Sequence, residues 1–313
     1  MRIVSLLASG TEIVCALGAG DSLVGRSHEC DNPAWVRSLP RCSEPAFDVS
    51  VSSRDIDREV NRRIRSGEPL YKIDHDLIAR LAPDVIIAQQ HCEVCAVTPG
   101  DLTPGVRGKK VVSLSAYSLK DIFASIEMIA DALGNAELGL KPRMQAEACS
   151  TIWSLQQRME RVRRLIAGRP RPTVALLEWT DPIFAMGNWG PELIETAGGE
   201  PVLGTPGEHS RAIPPELLRD ADPDFLVVAP CGFDLERSEA EQAVLEALPW
   251  WDDLRCVREG RVVFADGNLY FNRSGITVVR TAEILAEILH EIVSEHPSEG
   301  TCWRWYTKPR VRV

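Results

Sequence analysis

Cys92 and Cys95 stand two residues apart, with His91 directly before the first of them. That spacing suits a dithiol that cycles between reduced and oxidised forms, or one half of a tetrahedral metal site. A second half is offered far upstream by His28-Glu29-Cys30. An imidazole and a thiolate from that segment, added to Cys92 and Cys95, would complete four ligands. A single cysteine pair is equally what a loop packs as small apolar residues. Metal ligand, redox dithiol and structural thiol therefore all stand as readings of Cys92 and Cys95.

A second set of residues has no nucleophile in it. Trp179, Phe233, Tyr270 and Phe271 offer flat apolar surface, while Gln89, Gln90, Asn268, Asn272 and Arg273 offer directional polar contacts. The mixture fits a large planar ligand with amide or carbonyl edges. The bland alternative is that half of these side chains pack the interior. Enzyme signatures are missing: there is no P-loop, no G-x-S-x-G and no H-E-x-x-H. Gly18-x-Gly20 resembles a dinucleotide turn but follows a helix instead of a strand. Ligand binding without catalysis is the expectation, and a metal- or thiol-dependent enzyme built on Cys92, Cys95, Cys30 and His28 is the rival of another class.

The elements that must position these residues are written twice. Apolar runs at 3–7 and 173–178 each lead into a helix that stops at glycine, Gly18 in one case and Gly198 in the other. Leu77-Ile-Ala-Arg-Leu-Ala-Pro-Asp-Val-Ile-Ile-Ala is mirrored by Leu217-Leu-Arg-Asp-Ala-Asp-Pro-Asp-Phe-Leu-Val-Val-Ala, a short helix, Pro-Asp and a wholly apolar run. Such runs suit the interior of a parallel sheet. Lys110-Val-Val-Ser-Leu and Arg261-Val-Val-Phe-Ala supply a third matched strand. Between the halves, apolar residues from Met144 to Ile166 step by three and four, which predicts a helix of about 27 residues and ~40 Å.

The predicted class is α/β, with two Rossmann-like lobes of parallel sheet joined by a long helix. The expected boundaries are an N-terminal lobe over 1–117, connecting helices over 118–171, a C-terminal lobe over 172–295 and a tail over 296–313. Residues 50–71 read as an insertion with its own small helix, Asp74 as a helix cap, and the aromatic, basic tail as a frayed or packed terminus. Ligands of open α/β sheets bind at the carboxyl ends of strands. Applied to both lobes, that rule selects Ser9, 28–30, 89–95, 115–117, 178–180, 230–233 and 266–273 as a shared cleft.

Thirty-five basic against forty-five acidic residues leave the 313-residue chain at −10. Nucleic-acid and anionic-membrane surfaces, which call for clustered Lys and Arg, are therefore not expected partners. No apolar stretch nears the ~18 residues needed to cross a bilayer, so membrane insertion is not expected either. Residues 3–7 read as a buried strand instead of a signal peptide. The expected location is cytoplasmic as the sequence stands, and periplasmic if a leader has been removed. Nine cysteines, odd in number and mostly scattered, do not form a disulfide scaffold.

Several stretches carry a family resemblance. Arg2-Ile-Val-Ser-Leu, Thr11-Glu12, Val24-Gly25-Arg-Ser-His28-Glu-Cys30-Asp-x-Pro33 and Leu81-Ala-Pro-Asp-Val are similar to the cobalamin-type substrate-binding proteins of bacterial ABC importers. Cys92-Glu-Val-Cys-Ala96, Gly187-Asn-Trp, Pro230-Cys-Gly-Phe and Asn268-x-Tyr-Phe-Asn-Arg273 resemble a leaderless branch of them. The resemblance spans nearly the whole chain. It implies a helical-backbone receptor fold with a corrinoid, cobalamin or a relative, as its small-molecule ligand. It further implies an ABC permease as partner. By the same resemblance Phe271 and Arg273 fall on ligand-facing positions, Trp179 falls at or beside an aromatic one, and Glu29 and Gln89 replace aromatics. Asp76 and Glu216 fall near two carboxylates that dock on the transporter, with Asp shortening the reach at the first. His28 or His91 would then be an axial nitrogen ligand to cobalt. Heme or a siderophore in the same fold is the alternative ligand.

Overall fold

The computed structural model describes residues 1–90, 96–102, 110–134, 140–292 and 298–308. His91, Cys92 and Cys95 lie outside the described residues. The chain divides into two compact units: Met1–Gln156 with Ser274–Ile276, and Gln157–Arg273 with Thr277–Val313.

The first unit opens with β1 (Ile3–Ser5), α1 (Ala8–Ala16) and β2 (Leu23–Arg26). An antiparallel hairpin of β3 (Ser43–Pro45) and β4 (Tyr71–Ile73) encloses α2 (Ser53–Ser66). Then come α3 (His75–Leu81), β5 (Val85–Gln89), β6 (Lys110–Leu114), α4 (Leu119–Leu133) and the 26-residue α5 (Lys141–Ile166), which runs on into the second unit. The strands β2-β1-β5-β6 form one sheet in that order, parallel throughout. Every residue of β5 is buried, as its unbroken apolar run requires of an inner parallel strand. Val4, Leu6, Ile78 and Ile86 pack one face. Instead of passing through a polar loop, the chain turns from Ser5 into α1 almost at once. Gly10 makes this feasible, since a Cβ there would lie 2.6 Å from Ile87 Cγ2. The insertion's helix α2 is capped by Ser52, whose side chain accepts the Asp55 N–H, and it stops at Gly67 with φ 68°.

The second unit contains β7 (Thr173–Thr180), β8 (Ile183–Ala185), α6 (Gly190–Thr196), β9 (Glu200–Pro201), β10 (Arg211–Ala212), α7 (Pro215–Ala221) and β11 (Phe225–Val228). It continues through α8 (Leu235–Ala240), α9 (Gln242–Glu246), α10 (Arg255–Arg258), β12 (Val262–Ala265), α11 (Val278–His290) and β13 (Trp303–Trp305). The sheet order is β10-β8-β7-β11-β12-β13, with β9 also on β7. Its centre, β7-β11-β12, is parallel, and β8, β10 and β13 run against it. The tail is packed as an edge strand, Trp303 opposite Ala265 and Trp305 opposite Val263. Leu177, Leu226, Val228, Val262 and Phe264 build the core beneath. The predicted class holds: each unit is α/β around a parallel sheet, and one long helix links them.

The repeated Pro-Asp has a physical reason. Helices α3 and α7 both end on left-handed residues, Ala82 and Asp222. The aspartate two residues on then takes the first amide of the neighbouring strand. Asp84 Oδ2 accepts the Arg2 N–H at 2.8 Å, and Asp224 Oδ2 accepts the Thr173 N–H at 2.8 Å and its hydroxyl at 2.9 Å. Burial raises the Asp224 carboxyl, but the Thr173 bonds, with Arg255 and Arg261, outweigh it and hold the group below its ordinary value. Asp224 is 23% exposed and Asp84 60%. Asp224→Ala should therefore cost about 2–3 kcal/mol and Asp84→Ala about 1 kcal/mol, since a buried orphaned donor costs more than a wet one. Urea denaturation of the two variants checks the ranking.

Candidate functional site

In the second unit the ends of β7, β11 and β12 are laced together by backbone bonds. Cys231 N–H donates to Glu178 O at 2.9 Å and Asn268 N–H to Phe233 O at 2.9 Å. The Asn272 amide donates to Ala229 O at 2.8 Å and to Gly267 O at 3.1 Å. Gly267 is required at this crossing, because a Cβ would lie 2.1 Å from Pro230 O. Residues Gly267–Phe271 form a single π-helical turn, capped by Asp266 Oδ1 on the Leu269 N–H at 2.7 Å. Isolated π turns are frequent at functional sites.

On this base Trp179 is half-buried, its ring centre 5.1 Å from that of the buried Phe233. The Arg237 guanidinium lies 3.8 Å from the same Phe233 ring centre, a cation–π contact. Tyr270 is half-buried. Arg273 is buried, its Nε donating to Asn268 O at 2.8 Å. Phe271 departs from the expected role. It is 0% exposed and its carbonyl accepts the Trp189 indole N–H at 3.3 Å, so the π turn carries its ring into the interior instead of presenting it to a ligand.

The parallel sheet of the first unit brings the ends of β1, β2, β5 and β6 to one edge. Past β2, the imidazole of His28 is flanked by both strands of the inserted hairpin. Its ring centre lies 5.5 Å from that of Tyr71, and Nδ1 lies 3.5 Å from Ser43 Oγ. Nε2 is 3.8 Å from Glu29 Oε1. Burial, then the positive charges of Arg41 and Arg26, lower the His28 pKa to about 4. At neutral pH the ring is uncharged and keeps a lone pair for a metal or a hydrogen bond.

Cys30 also departs from expectation. Its sulfur is 0% exposed, accepts from Thr11 Oγ1 at 3.0 Å, and lies 3.1 Å from Ser27 Oγ. Burial pushes this thiol up, and lifts those of Cys15 and Cys42 to about 11. These thiols are protonated at neutral pH and are poor metal ligands. Among the described residues no group of three or more His, Cys, Asp or Glu is placed to hold a metal ion. Ser9 is a buried residue of α1, not of a loop. Gln89 is buried at the end of β5, while Gln90 is exposed, its N–H donating to Leu114 O at 2.8 Å. Asp76 and Glu216 are exposed in the first turns of α3 and α7. Asp74 caps α3 by accepting the Leu77 N–H at 2.8 Å.

Sequence reasoning missed Arg237 and the pair Ser43–Tyr71. Arg237 follows Phe233 by four residues, a spacing that could have found it. Ser43 and Tyr71 are joined to His28 only through the hairpin, and no local pattern announces that.

The His28 environment sets a pH dependence. Its folded pKa lies below the unfolded value, so its contribution is complete above pH 6.5 and is lost as pH falls from 6.5 towards about 4. The drop is worth roughly 3 kcal/mol. NMR titration should place the His28 midpoint near 4, and His28→Gln should recover about 2–3 kcal/mol of the stability lost on acidification.

No curated protein matches the sequence. Among solved structures the chain is similar to a periplasmic heme binding protein from Pseudomonas aeruginosa, with 20% identity over 98% of each chain and a TM-score of 0.68. It is similar to the periplasmic heme binding protein HutB of Vibrio cholerae, with 19% identity over 93% of this chain and 99% of that one, TM-score 0.67. The periplasmic vitamin B12 binding protein BtuF of Vibrio cholerae is 19% identical over 92% of this chain and 96% of its own, TM-score 0.58. At these identities the likeness is one of fold. The periplasmic binding protein family, however, matches residues 3–269, most of the chain, and the protein belongs to that family.

Proposed function

We propose that this protein is a solute-binding protein for a corrinoid, which meets the strand-end loops of both units and is passed on to an ABC permease. The observation that carries the reading is the half-buried Trp179, held on the Phe233–Arg237 stack at the end of β7. A flat indole on a fixed base is the surface a macrocycle covers. Tyr270, Gln90, His28 and Glu29 are the other ligand-facing candidates. Gln89, Phe233, Phe271 and Arg273, all buried, support them from behind.

Heme is the second reading, favoured by the heme binding proteins among the similar structures. Charge argues against it. Heme brings two carboxylates to a chain of net charge −10, whereas a corrin ring is edged by neutral amides that suit Gln90, Asn268 and Asn272. His28, uncharged at neutral pH, is the proposed axial ligand to cobalt, imidazole being a good ligand for such metals. His91 shares that proposal on sequence grounds alone.

Calorimetry and absorption spectroscopy with hydroxocobalamin, cobinamide and heme on one preparation test the reading. Both corrinoids should bind and heme should not; heme binding alone would transfer the site to the second reading. Trp179→Ala should weaken corrinoid binding by about ten- to a hundred-fold, or about 1.4–2.8 kcal/mol.

Asp76 and Glu216, exposed at matching helix starts in the two units, are proposed to meet basic residues of the permease. Replacing both with Lys should leave the ligand affinity unchanged. It should lower binding to the cognate permease at least ten-fold at low salt, and the difference should shrink as salt screens the pair.

A further inference from the structure

The family match ends at residue 269, but the second unit goes on to build an edge from its tail. The segment 298–308 is fastened to the body at several points. Trp303 Nε1 donates to Ser298 Oγ at 2.9 Å, and the buried Glu287 carboxylate accepts both the N–H and the hydroxyl of Ser298. Arg304 pairs with Glu239 at 2.6 Å. Tyr306 donates its hydroxyl to Glu246 at 2.7 Å and its N–H to Val262 O at 2.8 Å. None of these bonds involves the turn at 266–273.

Cys302 is where the strap meets that turn. Its carbonyl accepts the Asp266 N–H at 2.9 Å, and Asp266 in turn caps the π turn through Leu269. Its thiol, 7% exposed, is hydrogen-bonded with the Tyr270 hydroxyl. Tyr270 is thereby held from two sides, since Thr281 Oγ1 of α11 donates to its carbonyl at 2.8 Å. A π turn breaks the regular helical ladder and needs such outside support to keep one geometry.

We infer that the C-terminal strap is part of the ligand site: Cys302 is a positioning residue that orients Tyr270 and, through Asp266, fixes the 266–273 turn against the ligand. This rests on the reading of that turn as ligand-facing. The strap adds no chemistry of its own. It removes conformational freedom from the turn before the ligand arrives, so that less is lost on binding.

The test is a double-mutant cycle on the full chain with Cys302→Ala, Tyr270→Phe and the pair, read by hydroxocobalamin titration and by hydrogen exchange over 266–273. Each single variant should lose about ten-fold in affinity and the pair no more than either alone, because both remove one interaction. Exchange across the turn should rise about ten-fold in Cys302→Ala, and Cys302→Ser should restore both readouts. Arg304→Ala, which loosens the strap away from the turn, should lower the unfolding temperature with affinity intact. Additive losses, or unchanged exchange in Cys302→Ala, overturn the inference whatever the wild type binds. Failure of the wild type to bind any tetrapyrrole, with exchange still raised in Cys302→Ala, overturns the ligand reading and the strap's part in it, and leaves only a structural clasp.

Discussion

An aspartate carboxylate at the entry of each parallel sheet is the constraint on which the rest depends. A parallel strand buried on both faces cannot leave its first N–H unpaired without a cost comparable to a lost hydrogen bond. In both units the chain meets this requirement from the segment that leads into the adjacent strand. Asp84 serves the amide of Arg2 and Asp224 that of Thr173. The carboxylate ties two strands of remote sequence together at their amino ends and so sets their register. Once the amino ends are level, the carboxyl ends emerge at one edge, and that edge is where side chains of distant origin can act on one ligand.

The two edges are stiffened by different means. In the second unit the loops are held by main-chain bonds, with Gly267 letting one backbone cross another, so Trp179 stands on a base that does not depend on any one side chain. In the first unit the corresponding place is held by side chains. His28 is fixed by Tyr71 and Ser43, which the inserted hairpin supplies. An insertion that looks peripheral in sequence thus supplies the immediate surroundings of a central candidate residue. Main-chain lacing tolerates substitution of the exposed residues, whereas the imidazole's position is sensitive to change at either neighbour.

Much of this was legible in advance, and the limits are physical. The matched apolar runs and Pro-Asp pairs were visible because an inner parallel strand needs an unbroken apolar stretch and the strand entry needs a capping carboxylate. The helix α5 was visible because its apolar stripe is long and regular. Residue type alone could not reveal which members of the strand-end loops face outward. Cys30 and Phe271 occur in the right segments, yet the first turns its sulfur to Thr11 and Ser27, and the second is drawn inward by the π turn. Neither a π turn nor a hydroxyl cradle for a thiol leaves a periodic signal. The tail's edge strand was hidden for a similar reason, since three residues are too few for alternation to show.

Burial around the candidate residues favours recognition by shape and neutral hydrogen bonding over recognition by charge. Arg273 is buried and engaged with Asn268, and Arg41 is paired with Glu44 at 3.2 Å. The same burial that lowers His28 keeps it from offering a positive charge to an anionic ligand. What remains at the two edges is indole, phenol, amide and neutral imidazole. These groups bind weakly one at a time and discriminate by fit, because a ligand lacking the matching amide leaves a polar group unpaired on both sides. Such a surface gains affinity only if it is preorganised. That is why main-chain lacing in one unit, the hairpin in the other and the strap behind Tyr270 belong to the same physical problem.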